Sequence, residues 1–160
     1  MGKIGVVLAF AGTAALLGGC SLGPVACPAM GQVTGLSVTV AASYAESVGT
    51  LHVKACQDGV CTERDLELQP GTVAVDQGCT KEGACSATQS FDGTRRGPLE
   101  LPALSETPMD ATVGGTSRSG TPLPARALTF MPKGSYPFGE QCQRFVTASL
   151  VLDAEGLRQE

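Results

Sequence analysis

The chain has no tryptophan and no asparagine. Its 160 residues hold one histidine, two tyrosines and five phenylalanines. With so few large rings, any core must be built mainly from Val, Leu and Ala. Small side chains gain less from burial, so covalent staples weigh more in such a fold. Basic residues are also scarce, eleven against fifteen acidic ones. No basic cluster exceeds Arg95-Arg96, which argues against binding nucleic acid by phosphate neutralisation. No G-x-S-x-G is present. Gly115-Thr116-Ser117-Arg118-Ser119-Gly120 has the wrong spacing for a nucleophile elbow. No phosphate-cradling glycine motif, internal repeat or heptad occurs.

The first twenty residues carry the clearest signal. Lys3 gives a positive start, Ile4 to Leu17 are mostly apolar, and the small residues Gly18 and Gly19 precede Cys20. That order reads as a signal peptide. A membrane span needs about 20 apolar residues, more than this run supplies. Leu17-Gly18-Gly19-Cys20 resembles the lipobox of bacterial lipoproteins, position by position. The resemblance implies that residues 1–19 are cleaved and that the Cys20 sulfur carries a diacylglycerol. Residues 20–32 would then be a lipidated tether, and residues 33–160 a domain on the extracytoplasmic face of the cell membrane. Two acyl chains meet the requirement that one chain alone anchors only marginally. Simple secretion and an uncleaved anchor are the alternatives.

With Cys20 assigned to lipid, six cysteines remain: Cys27, Cys56, Cys61, Cys79, Cys85 and Cys142. An even set in an exported chain favours disulfides. Zinc is the alternative, but it prefers compact pairs such as C-x2-C. The spacings here are C-x4-C and C-x5-C.

After Val33 short strands alternate with Gly/Pro turns. Leu36, Val38 and Val40 alternate with Ser37 and Thr39, the mark of a half-buried strand. Further strands are expected at 50–56, 60–68, 72–76, 86–91, 98–104, 109–113, 125–131 and 143–153. Gln69-Pro70-Gly71 and Asp92-Gly93 read as turns, and 114–124 as a flexible loop. Only 41–48 has helical propensity. The pattern predicts a single all-β domain, a disulfide-stabilised antiparallel β-sandwich. An immunoglobulin-like subclass is open, because the Cys-Trp-Cys hallmark is absent. The C-terminal YPFGEQCQRFVTASLVLDAEGLR loosely resembles the ends of small uncharacterised actinobacterial lipoproteins with β-sandwich domains. That likeness implies no activity.

The most specific local prediction is a hairpin over 50–68. Asp58-Gly59 is a preferred two-residue turn. It sets Cys56 against Cys61, Lys54 against Glu63, Val53 against Arg64, His52 against Asp65 and Leu51 against Leu66. Opposite charges then meet, and the cysteines fall at a closely spaced pair that a disulfide can bridge. Arg64 opposite Val53 is the weak point of this register. By the same logic Cys79 is expected to join Cys85. That leaves Cys27–Cys142 to tie the tether to the last strand.

Candidate chemistry is thin. His52 beside Asp65 resembles a base with its orienting acid, but an exposed cross-strand pair explains it better. Asp65 with Glu67, and Asp153 with Glu155, suit a calcium site or an acid/base pair; solvated charges are the simpler reading. Arg95-Arg96 suggests an inhibitor-like loop at 92–97, with a polar turn preferred. The expectation is a non-catalytic binding or structural module with no cofactor or metal. Its expected partners are the membrane, through Cys20, and an envelope protein or ligand. The alternatives are an envelope hydrolase or enzyme accessory using His52, and an inhibitor.

Overall fold

Alternation along the first strand becomes burial along one face. Leu36, Val38 and Val40 are fully buried, and the same pattern returns in Leu51, Val53 and Ala55. The computed structural model describes residues 26–29 and 34–160. The signal segment, Cys20 and much of the tether lie outside the described residues. The strands are β1 (Gly35–Val40), β2 (Val48–Gln57), β3 (Val60–Leu66), β4 (Gln69–Cys79), β5 (Cys85–Glu100) and β6 (Met109–Ser117). They continue with β7 (Pro122–Phe130), β8 (Lys133–Ser135), β9 (Phe145–Leu152) and β10 (Leu157–Gln159). One helical turn, α1 (Ala42–Ala45), joins β1 to β2.

Two sheets result. One runs β10-β9-β1-β5-β4, with β8 also paired to β9; the other runs β3-β2-β6-β7. All pairings are antiparallel except β1 with β9. Side chains from both sheets form one core: Leu36, Val38, Leu99 and Leu150 from the first, Leu51, Val53, Met109 and Val113 from the second. This is the expected all-β, disulfide-stapled sandwich. Phe130 is the one aromatic residue in the buried cluster, as the scarcity of rings required.

The predicted hairpin is present in full. Its register pairs Leu51 with Leu66, His52 with Asp65, Val53 with Arg64, Lys54 with Glu63 and Cys56 with Cys61. Asp58 and Gly59 both have positive φ (51° and 80°), as a type I′ turn requires. Arg64 causes no conflict, because β3 is the outer strand of its sheet. Arg64 reaches water while Val53 stays buried.

Four expectations need correction. Residues 86–91 and 98–104 are not separate strands; β5 runs unbroken from Cys85 to Glu100 and ends before Leu101. Asp92-Gly93 is a bulge rather than a turn. Asp92 Oδ1 accepts from the Thr94 amide and hydroxyl, at 2.9 and 2.6 Å, and Gly93 takes φ 80°. The segment 92–97 is therefore strand, which removes the inhibitor-loop reading. Gln69-Pro70-Gly71 lies inside β4, and the break falls earlier, at Glu67-Leu68. The supposed loop 114–124 shrinks to 118–121, because β6 extends to Ser117 and β7 starts at Pro122. Glycine makes that extension possible. A Cβ on Gly115 would stand 2.1 Å from the Thr50 carbonyl oxygen, so β2 and β6 can approach only without one. The short strands β8 and β10 were not anticipated.

All three expected cysteine pairs lie at bonding distance: Cys27–Cys142, Cys56–Cys61 and Cys79–Cys85. These pairings displace the zinc reading. Cys27–Cys142 spans 115 residues, against 5 and 6 for the other two. Loop entropy assigns up to about 5 kcal/mol to the long closure and about 2 kcal/mol to each short one. Replacing Cys27 and Cys142 together by Ala should lower the urea unfolding midpoint more than replacing Cys56 and Cys61 does. The reverse order would refute the loop-length account.

Candidate functional site

The pair with the most catalytic appearance sits on the outer face of the β2–β3 hairpin. His52 Nδ1 and Asp65 Oδ1 are 2.9 Å apart. Their side chains are 50 % and 83 % exposed. Both project from strands into water and line neither of the two hollows described below. Among the described residues, Asp65 is the one side chain that hydrogen-bonds His52. Glu67 falls in the bend after β3 and adds no third ligand. Asp153 does structural work instead. Its Oδ1 accepts from the backbone amides of Glu155 and Gly156, both at 2.9 Å, and Oδ2 pairs with Arg158. Among the described residues, no group of three or more His, Cys, Asp or Glu is placed to hold a metal.

Four carboxylates are held below their ordinary range. At Glu82 the main cause is the Thr80 hydroxyl. At Asp92 the main cause is the Thr94 hydroxyl. At Glu106 it is the hydrogen bond from Arg144, with the Gly134 amide second. At Asp153 it is the Gly156 amide. Each is a structural bond that favours the ionised form.

Among the hollows of the described residues, two lie at the ends of the sandwich. At one end of the sandwich the inner face of the β2–β3 hairpin outruns the opposite sheet. Ala55, Gln57, Val60, Thr62 and Met109 of the hairpin's own sheet line a cleft of about 190 Å³ together with Leu101 and Leu104. Ligand pockets usually run from about 300 Å³ upward, so this one admits only a small apolar group. Gln57 holds the cleft's far wall. Its Nε2 donates to the Ser105 and Thr107 carbonyls at 3.0 and 2.9 Å, and its Oε1 accepts from the Ser105 amide at 3.0 Å. At the other end, Phe91, Leu68, Arg95 and Arg118 surround a shallower hollow. Arg95 donates there to the carbonyls of Val48 and Leu68.

The most unusual feature leaves the body altogether. Every residue from Val73 to Phe91 is exposed. Strands β4 and β5 continue past the end of β1 as a two-stranded arm, because β1 pairs β5 only from Arg95 to Glu100. From Thr72 to Cys79 the arm reaches about 25 Å. Its tip is a tight loop in which the Thr80 amide donates to Ala84 O at 2.8 Å and Gly83 has φ 86°. Cys79–Cys85 closes it. Val73, Val75 and Phe91 are 51 %, 42 % and 76 % exposed.

The arm and the Cys27–Cys142 bond lie at opposite ends. Leu36 aligns with Leu99 and Ala148, while Val40 aligns with Arg95 and Leu152. Cys142, three residues before β9, therefore sits at the Glu100 end, beside the cleft. Cys27 is bonded there. The arm leaves from the Arg95 end.

No family model matches this chain, and neither a curated protein nor a solved structure matches it. Sequence reasoning placed all six disulfide cysteines and the His52–Asp65 contact. It missed the arm, since Val73 and Val75 alternating with Thr72, Ala74 and Asp76 read like a half-buried strand. The available signal was the lack of any bulky apolar residue in 84–90.

Gln57→Ala should free the 101–108 segment at a cost of about 1–3 kcal/mol. Faster hydrogen exchange at the Ser105 amide would report it; unchanged exchange would refute the clamp. Acid should act through the depressed carboxylates. Their folded pKa values lie below the unfolded ones, so their stabilisation holds above about pH 4 and disappears as pH falls through the folded values. Thermal midpoints should be level from about pH 7 to 5 and decline below about pH 4. A level profile down to about pH 2.5 would contradict this.

Proposed function

We propose that this chain is a lipid-anchored, extracytoplasmic binding or structural module, not an enzyme. Three disulfides suit an oxidising compartment. The lipobox-like Leu17-Gly18-Gly19-Cys20 supplies the address. The observation that carries the reading is the arm, nineteen consecutive exposed residues directed away from the tether end. An arm of this kind adds little to the core that supports it. Its use is to meet something at a distance from the anchor.

The second reading is an envelope hydrolase or enzyme accessory built on His52 and Asp65, and the 2.9 Å contact is what favours it. The two readings separate cleanly. Metabolic labelling with an alkynyl fatty acid should mark the wild-type chain and leave Cys20→Ala unmarked, with the domain still folded. Persistent labelling would undo the anchor. Broad hydrolase probes should treat the wild type and His52→Ala alike. An activity lost in His52→Ala would favour the enzyme.

A further inference from the structure

The outer edge of the arm is a row of backbone groups that no strand covers among the described residues, because β4 ends its sheet. Exposed edges template pairing with other chains, and proteins blunt them with lysine, proline, bulges or short length. In β4 the blunting is confined to its two ends and to Gln77, whose Nε2 donates to the Val75 and Asp76 carbonyls at 3.3 and 3.5 Å and must turn away on pairing. Irregularities fall between Pro70 and Thr72 and between Asp76 and Cys79. The regular stretch between them is Thr72-Val73-Ala74-Val75-Asp76, with no proline, no lysine and one charge. Ala74 is the midpoint of that stretch and also of β4, Gln69–Cys79.

We propose that a second copy of this chain occupies the edge, pairing antiparallel about a two-fold axis at Ala74. In that register Val73 faces Val75 of the second copy, twice by symmetry. The four valines then form one cluster on one face of the new sheet. Thr72 faces Asp76 of the second copy, a hydroxyl against a carboxylate, also twice. The paired stretch is Thr72 to Asp76 of each copy, bounded by the two irregularities. No like charges meet. The parallel in-register alternative stacks Asp76 on Asp76 and is disfavoured for that reason. Pairing converts two marginal two-stranded ribbons into one four-stranded sheet in the order β5-β4-β4-β5. It also gives the closed two-fold symmetry commonest among oligomers. The contact is small, so the dimer belongs to the weak, concentration-dependent class. The inference rests on the arm alone and holds whether or not Cys20 carries lipid.

The test uses the full chain in mild detergent, with micelles in excess over protein. A photo-crosslinking phenylalanine analogue at position 74 should yield a dimer joined at position 74 of the second copy. Sedimentation should show reversible dimerisation below about 200 µM. Ala74→Lys places two lysines together at the axis and should weaken association about tenfold or more. Position 74 is exposed, so circular dichroism should be unchanged in that variant. Thr72→Lys places each lysine against Asp76 and should preserve the dimer, more so at low salt. A monomer at every concentration, or an Ala74→Lys dimer as tight as wild type, would overturn the proposal. So would an adduct in whole cells to a different protein with no self-adduct, which would assign the edge to an extended segment of that protein.

Discussion

The rest of this protein depends on a core with little bulk. Its buried cluster is Val, Leu and Ala with one Met and one Phe. Such side chains fill a thin layer between two sheets and leave little to spare for peripheral elements. The sandwich is therefore well supported where both sheets overlap, around Leu36, Leu51, Leu99 and Leu150, and poorly supported beyond. Both ends show it. At one, the β2–β3 hairpin overhangs and leaves a cleft; at the other, β4 and β5 run on without any cover.

Covalent closure is found where the core is absent. Cys56–Cys61 and Cys79–Cys85 sit at hairpin tips, with Cα atoms 4.0 and 3.9 Å apart. Such short separations fit the narrow, non-hydrogen-bonded position of an antiparallel ladder. Neither bond crosses the sandwich. Each holds a local register that apolar packing does not enforce. Cys27–Cys142 acts differently, fixing the segment before β1 at the Glu100 end. Phe138 and Phe145 meet edge to face beside that end, with centroids 6.0 Å apart. Arg144 pairs with Glu106 and lies 5.8 Å from the Tyr136 ring. Tyr136, Phe138 and Phe145 thus gather near the Cys27–Cys142 end, while Tyr44 and Phe91 lie at the other.

The two Asp-Gly pairs show how far sequence could be read and where it stopped. At Asp58-Gly59 the flanking residues complement one another in mirror order: Cys with Cys, Lys with Glu, His with Asp. A turn there satisfies all of them together. At Asp92-Gly93 a turn would oppose Phe91 to Thr94, Ser90 to Arg95 and Gln89 to Arg96, and none of these matches helps. The Asp92 carboxylate instead takes the Thr94 amide and hydroxyl, and the strand continues through a bulge. Cross-strand complementarity, not the dipeptide, decides between the outcomes. The same criterion makes the cysteine pairs legible and leaves β8 and β10 illegible. Those three-residue strands are held by edge contacts such as Gln159 to Met131 O and Lys133 to Glu160 O, which no local pattern announces.

The arrangement of ends bears on function more than any single side chain does. Catalysis needs convergent groups in a sheltered place, and the titratable pair here is on an open sheet face. The sheltered cleft holds apolar side chains and a clamp made of Gln57. What the fold separates is the end held by Cys27–Cys142 and the end from which the arm leaves. Chain entry through Cys27 fixes the first. The second follows from β5, a strand long enough to belong to the body over one half and to the arm over the other. The Asp92–Thr94 bulge marks where it passes between them, with Ala42 of α1 lying close to Gly93. A single continuous strand joins the arm's root to the sheet whose β9 begins three residues after Cys142. That continuity sets the direction in which the arm leaves the body.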